Sequence, residues 1–407
     1  MRRYTDILAD CNYYLFLAVV ALLPFPQIFL RYACVLWFVA WVLEGRWLRK
    51  PNSQSPISNL QSAIPFLLFG AWYGWKLLSG LWATDTAAWA SQMERYISFS
   101  VMIPVGIWGV NERYNWRQAG KILVGGCVCA ALFYPILLTV LLFHREIIDA
   151  TNWVAPWDYS SFDWLYFYQI NLSHIKHRLF LSSVEIMGIM IATKLWFNER
   201  RQLWFTASVL LTCSILLSGS RQALISLVVI AIIALFFLLA QRIKWYYAAG
   251  IVIVALVIGG MALSFHPRFR TLNIQSDERT LLWETALQHP MDYFWRGFGG
   301  GQDGVQLFSA FPESKAPEYF TVRGHCHNQY LQELREGGIV GLILFLLAWI
   351  SVPLCASKKQ KELAILFTVL FACNMCTECM FAKYCGVALW SVGLLFLLLQ
   401  TDAAREQ

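Results

Sequence analysis

Residues 221–265 read RQALISLVVIAIIALFFLLAQRIKWYYAAGIVIVALVIGGMALSF. Two apolar runs, 222–241 and 247–265, flank a short link that carries Arg242 and Lys244. Each run has the ~20 residues that a helix needs to cross a hydrocarbon core of ~30 Å. In lipid the backbone must satisfy its own hydrogen bonds, so such runs read as helices. The same pattern recurs at 12–26, 28–44, 63–80, 96–110, 121–143, 179–197 and 203–218, and again at 338–355, 362–379 and 384–400. The sum is an all-α, polytopic membrane protein of about twelve spans, with both termini on one side.

Composition agrees. Of 407 residues, 58% are hydrophobic and 14% charged, whereas soluble domains run near ~45–50% and ~25%. Disordered, fibrous and ordinary cytosolic proteins are excluded. The net charge of +7 does not point to nucleic acid, because the cations are scattered over short loops. That scatter sets orientation instead. One side carries Arg2 and Arg3, then Arg46, Arg49 and Lys50, then Arg113, Arg117 and Lys121. Further on it carries Arg200, Arg201, Arg242, Lys244, Lys358, Lys359 and Lys361. The short loops of the other side carry only Arg95, Arg145, Lys176, Arg178, Arg221 and Lys383. Positive charge marks the cytoplasm, which therefore holds both termini.

In this topology all seven histidines (His144, His174, His177, His266, His289, His325, His327) face outward. Imidazole avoids hydrocarbon, which explains loops in general but not one side alone; it also suits proton transfer near neutral pH. The eleven cysteines fall mostly in apolar runs, so no disulfide framework is expected. Three parts follow: helices one to nine at 1–265, an extramembrane loop subdomain at 266–337, and helices ten to twelve at 338–407. The stretch 50–62 reads as a polar linker. In the long loop, 277–288 (DERTLLWETALQ) reads as a short amphipathic helix on the membrane surface. The glycines at 297–301 read as a flexible turn.

The sharpest motif is GHCHN at 324–328, followed by QYLQELREG and then GIVG at 338–341. Asn328 is a good helix N-cap, and Gly338 and Gly341 share a helix face and allow close packing. His327, at the start of a helix whose dipole favours negative charge, can serve as general base toward a hydroxyl. A plain capped helix with a packing seam explains the pattern as well. A metal site from His325, Cys326 and His327 is a third reading, although the spacing is poor and no further ligand is evident.

Arg221 stands between two apolar runs with almost no loop, so it needs a partner, or snorkels to headgroups. Arg279 lies on the amphipathic helix, and Arg178 in the basic cluster IKHR before the sixth span. Both could equally meet lipid headgroups. Outward-facing guanidinium groups suit a diphosphate, which they grip with two parallel hydrogen bonds. Glu378, at the end of the eleventh span, is a costly carboxylate near lipid and a candidate partner for one of the arginines. Cys373, Cys376 and Cys379 read as small apolar core residues.

The His-Asn-x9-Gly-x-x-Gly pattern at 327–341, with Arg221, Arg279 and His325, resembles the signature of the bacterial O-antigen ligase and polymerase superfamily. The likeness runs from about residue 170 to 380. It implies a C-class glycosyltransferase fold with a large periplasmic loop, in the bacterial inner membrane. It implies metal-independent, cofactor-free transfer of a glycan from undecaprenyl diphosphate to a sugar hydroxyl of lipid A-core. His327 would be catalytic, Arg221 and Arg279 would bind the donor diphosphate, and His325, Asn328, Arg178 and Glu378 would support the site. An O-antigen or capsule polymerase would share the donor. A glycolipid transporter is disfavoured, because transporters place polar residues at the midplane.

Overall fold

The computed structural model describes residues 2–48, 60–144, 164–265, 278–310 and 324–399. Most of the expected linker at 50–62, and Arg145, His266 and Asp277, lie outside the described residues. Among the described residues all regular structure is helical. In chain order the helices are α1 (Arg2–Leu22), α2 (Gln27–Glu44), α3 (Leu60–Leu78), α4 (Thr86–Arg95), α5 (Ile97–Trp108) and α6 (Trp116–Leu142). Next come α7 (Trp164–Ile175), α8 (Arg178–Glu199), α9 (Gln202–Ser218), α10 (Arg221–Ala240) and α11 (Trp245–Phe265). The last are α12 (Glu278–Ala286), α13 (Asp303–Ala310), α14 (Gln329–Cys355), α15 (Lys361–Met375) and α16 (Tyr384–Leu398).

Five of these, α2, α6, α8, α10 and α14, are long and apolar enough to cross a membrane. The segment α10 has a mean hydropathy of 3.2 in its most apolar window, yet only 28% of that window is buried within the protein. On α11, Ile253, Val254, Val257, Ile258 and Met261 are exposed together. Water would penalise such faces by about 25 cal/mol per Å² of apolar surface; hydrocarbon does not. The chain is a multi-pass membrane protein.

The chain divides into two compact units, 1–44 with 113–228, and 45–112 with 229–407. In the first, α1 packs on α2 and α6, and α8 packs on α6 and α9. Phe16, Trp37, Tyr114 and Trp116 form its aromatic core. Asn12 donates to Glu44 (2.6 Å) and accepts from the Tyr114 hydroxyl (2.8 Å), which in turn accepts from the Trp37 indole (2.8 Å). The 22 residues of α8 give it a length of ~33 Å. At its C-terminal end Glu199 pairs with Arg117 (2.7 Å) and Lys121 (2.8 Å). At its other end stand Arg178 and, across a 3.1 Å hydrogen bond between the Ser182 and Ser218 hydroxyls, the turn that leads to Arg221. Between the two ends Glu185 is fully buried and accepts from the Ser214 hydroxyl at 2.6 Å, as a carboxylate inside a spanning element requires.

In the second unit α3 packs on α5 and α14, α5 on α16, and α14 on α15. Its core joins Phe69, Trp72, Phe99, Phe345, Phe371, Phe381 and Trp390 ring to ring.

Several boundaries differ from the sequence reading: α1 begins at Arg2, not 12, and α6 at Trp116, not 121, and two further shifts bear on the site. The helix expected at 338 begins at Gln329, because Asn328 caps it there. The helix expected to reach 379 stops at Met375, so Glu378 lies in the following loop. The glycines differ as well. Gly338 is no helical packing position: it sits at φ +64° and breaks α14, and a Cβ there would lie 2.3 Å from the Trp295 carbonyl. Gly297, at φ +73°, has the reciprocal constraint against Glu336. At the break Arg335 and Glu336 carbonyls accept from Phe298 (2.8 Å) and Gly299 (3.0 Å) amides, and the Ile339 amide donates to Phe294 (2.7 Å). The turn expected to be flexible is therefore a tight clasp. Its Gly300 amide also donates to Ser79 Oγ at 2.7 Å.

Candidate active site

The site grows from the start of α14. Asn328, in extended backbone, accepts the Leu331 amide on Oδ1 at 3.0 Å, filling one of the donors a helix start leaves open. Its Nδ2 donates to the Cys376 carbonyl at 3.1 Å. Gln329, next in line and buried, accepts the Phe381 amide (2.8 Å) and donates to Glu333 (2.8 Å). Two consecutive side-chain amides therefore tie the 376–381 loop to the start of the helix. That loop carries Glu378.

The result is a contact between residues 51 apart in sequence: His327 Nδ1 lies 3.3 Å from Glu378 Oε2 and 3.2 Å from Oε1. An ionised carboxylate only accepts, so a neutral imidazole in this contact donates from Nδ1 and keeps its lone pair on Nε2. Glu378 is nearly buried, whereas the His327 side chain is 35% exposed. His327 is also held at φ +54°, a left-handed conformation that costs on the order of 1–3 kcal/mol in a non-glycine residue and gathers at functional sites. Its amide donates to His325 Nδ1 (3.3 Å), which leaves the His325 proton on Nε2, 3.6 Å from Glu378 Oε1. Burial holds His325 neutral, with its pKa lowered to about 3; the nearby Glu378 carboxylate opposes this without prevailing.

The histidine loop is fixed from below. The Cys326 amide donates to Asp303 Oδ2 (2.9 Å), and its carbonyl accepts from the Trp283 indole (2.8 Å). Asp303 forms a buried ion pair with Arg335, whose guanidinium also donates to the Ala286 carbonyl and lies over the Tyr293 and Phe298 rings. Arg279 is half-buried on α12. It stands one helical turn before Trp283, whose indole donates to the Cys326 carbonyl. A small pocket beside the loop is lined by Ser91, Arg95, Gly324, His325, Gln332 and Ala382.

One unit thus brings together His325, His327, Asn328, Glu378 and the helix of Arg279, while Arg178 and Arg221 belong to the other. The carboxylate expected to seek an arginine meets two imidazoles. The sequence reading set Cys326 beside His325 and His327 as metal ligands; in the structure it is Glu378 that joins the two histidines, placing three ligand atoms within 4.8 Å of one another, a set that could hold a metal ion. The same contacts make a hydrogen-bonded carboxylate–imidazole pair with no metal needed.

Sequence reasoning missed Asp303, Arg335, Trp283, Gln329 and the buried cluster of Lys76 with Glu333 (3.0 Å) and Glu336 (2.8 Å). A signal existed. Lys76 interrupts an apolar run, and Glu333, Arg335 and Glu336 crowd one short stretch before another, so each needed a partner.

Residues 206–346 match the family model Wzy_C, described as O-Antigen ligase. The match spans Arg221, Arg279, His325, His327 and Asn328, and ends before Glu378. No curated protein matches the chain. Through residues 206–346 the chain is similar to the O-antigen ligase family.

Proposed function

We propose that the protein is an O-antigen ligase-type glycosyltransferase of the bacterial inner membrane. It moves a glycan from undecaprenyl diphosphate to a sugar hydroxyl of lipid A-core at the periplasmic face. In this reading it has about twelve spans in a C-class fold, with both termini cytoplasmic. The observation that carries the reading is the exposed His327 imidazole, whose Nδ1 faces the Glu378 carboxylate at 3.2 Å in a chain similar to this family.

The chemistry follows from the atoms. Nε2 of His327 takes the proton of the acceptor hydroxyl as its oxygen attacks the anomeric carbon. The bond from that carbon to the diphosphate breaks on the opposite face, and the electron pair leaves with undecaprenyl diphosphate. The configuration inverts. Glu378 stabilises the imidazolium that forms, as a carboxylate does for a histidine base. Arg279 binds the donor diphosphate and offsets the charge that grows on it. His325 and Asn328 support the site. No metal and no cofactor takes part.

The test is the lipopolysaccharide of a deletion strain. A missing ligase leaves bare core while long chains accumulate on undecaprenyl diphosphate. Core capped with a single repeat unit assigns the protein to the polymerases of the same superfamily instead. In vitro, transfer by purified protein persists in EDTA; loss restored by a divalent ion overturns the metal-free mechanism and favours the three-ligand set. Donor binding without turnover, in the presence of acceptor, assigns the chain to glycolipid transport.

A further inference from the structure

Cys326 and Cys379 are both fully buried in one apolar cluster with Leu282, Ala286 and Leu307. The two side chains pack in that cluster, and the Cys326 thiol donates to the Asn328 carbonyl at 3.2 Å. One cysteine lies between His325 and His327, the other directly follows Glu378. Neither has a part in the transfer chemistry. Cys376, three residues before Cys379, is exposed and outside this cluster.

We propose that Cys326 and Cys379 form a disulfide that locks the Glu378 loop to the histidine loop. The proposal rests on the periplasmic placement of these loops, since disulfides persist in oxidising compartments. Cross-linking positions 326 and 379 fixes the residues beside His327 and Glu378, so it preserves the short carboxylate–imidazole contact when the donor lipid arrives. Both thiols are free in the structure and packed in the same cluster; the bond would bring their sulfurs to about 2.05 Å.

The oxidant is a thiol–disulfide oxidoreductase or a small-molecule disulfide. The thiolate of one cysteine attacks that disulfide and releases one thiol. The second cysteine then attacks the sulfur bound to the protein and releases the other. Two electrons and two protons pass to the oxidant, and one S–S bond forms in the protein as one breaks. Burial pushes both thiols up, which disfavours the reacting thiolate. The bond therefore forms during membrane insertion, before the loops seal.

The experiment is thiol trapping with peptide mapping. Membranes of the producing host are denatured in SDS with iodoacetamide, and the protein is digested without reduction. The expected result is a cross-linked peptide joining Cys326 to Cys379, lost after dithiothreitol. Alkylation of both cysteines without reduction overturns the proposal, as does a bridge to Cys376. A parallel measurement fixes the side of the membrane: Ser309→Cys in whole cells with a membrane-impermeant maleimide. Labelling with both native thiols reduced defeats the disulfide and leaves the periplasmic reading intact. No labelling with the thiols reduced defeats both.

Discussion

The first two turns of α14 carry two charged clusters of opposite character. At Glu333 and Glu336 the helix grips Lys76 of α3, and all three side chains are 0–1% exposed. At its cap, His327 meets Glu378 with the imidazole 35% exposed. In the sealed cluster Trp72 and Gln92 add donors to the carboxylates at 2.9 and 2.7 Å. That cluster ties α3 to α14 and has no face left for a substrate. The capped cluster leaves one imidazole edge open, on a strained backbone. Where charge is closed off it serves the fold; where one edge stays open it can serve chemistry.

That contrast predicts separable losses. Lys76→Ala leaves two buried carboxylates without their cation and lowers stability by about 3–5 kcal/mol, read as the thermal midpoint in detergent. A wild-type midpoint would sink the structural role of the sealed cluster. His327→Ala does the reverse: transfer falls ~10²–10⁴-fold, as loss of a general base does, while the midpoint stays near wild type. Single-turnover assays with the lipid-linked donor check it, and near-normal turnover removes the base assignment.

Glu378→Gln sharpens the comparison further. It exchanges a charge-assisted hydrogen bond worth about 1.5–3 kcal/mol for a neutral one, so turnover drops ~10–100-fold. The loss belongs to kcat, with KM for the donor little changed. A loss confined to KM would make Glu378 a binding residue and not the partner of the base. Asn328→Ala costs less, about 0.5–2 kcal/mol from the helix cap. It also frees the Cys376 carbonyl and loosens the loop that holds Glu378.

The legibility of the sequence follows the same division. Span-length apolar runs announce the helices, because hydrocarbon leaves the backbone no other option. Asn328 announces the cap, since capping is a local event. Glu378 was visible only as an expensive carboxylate. Its partner lies 51 residues away across two helices, where no period or spacing reaches. Gly338 misled for a related reason. Its spacing from Gly341 suits a helix face, but its φ of +64° serves the clasp with Gly297, and that partner comes from a distant turn. The buried Lys76 cluster escaped because a lone lysine in an apolar run gives its cost and not its partner.

The smallest effect tests the ground between the clusters. His325 is 15% exposed and neutral by burial, with a pKa near 3 in the folded protein against an ordinary 6.5. Between those values the unfolded chain binds a proton that the folded site refuses. Stability from this group is therefore complete above about pH 6.5 and drains away as pH falls toward 3. A histidine gaining a partner would behave oppositely, with stability lost on raising the pH. His325→Asn removes the titrating group, so its midpoint should fall less between pH 7 and pH 5 than that of the wild type. Parallel curves for the two proteins would mean that His325 keeps an ordinary affinity for protons. Burial would then have no hold on the charge of His325, and its neutral supporting role beside Glu378 would fall.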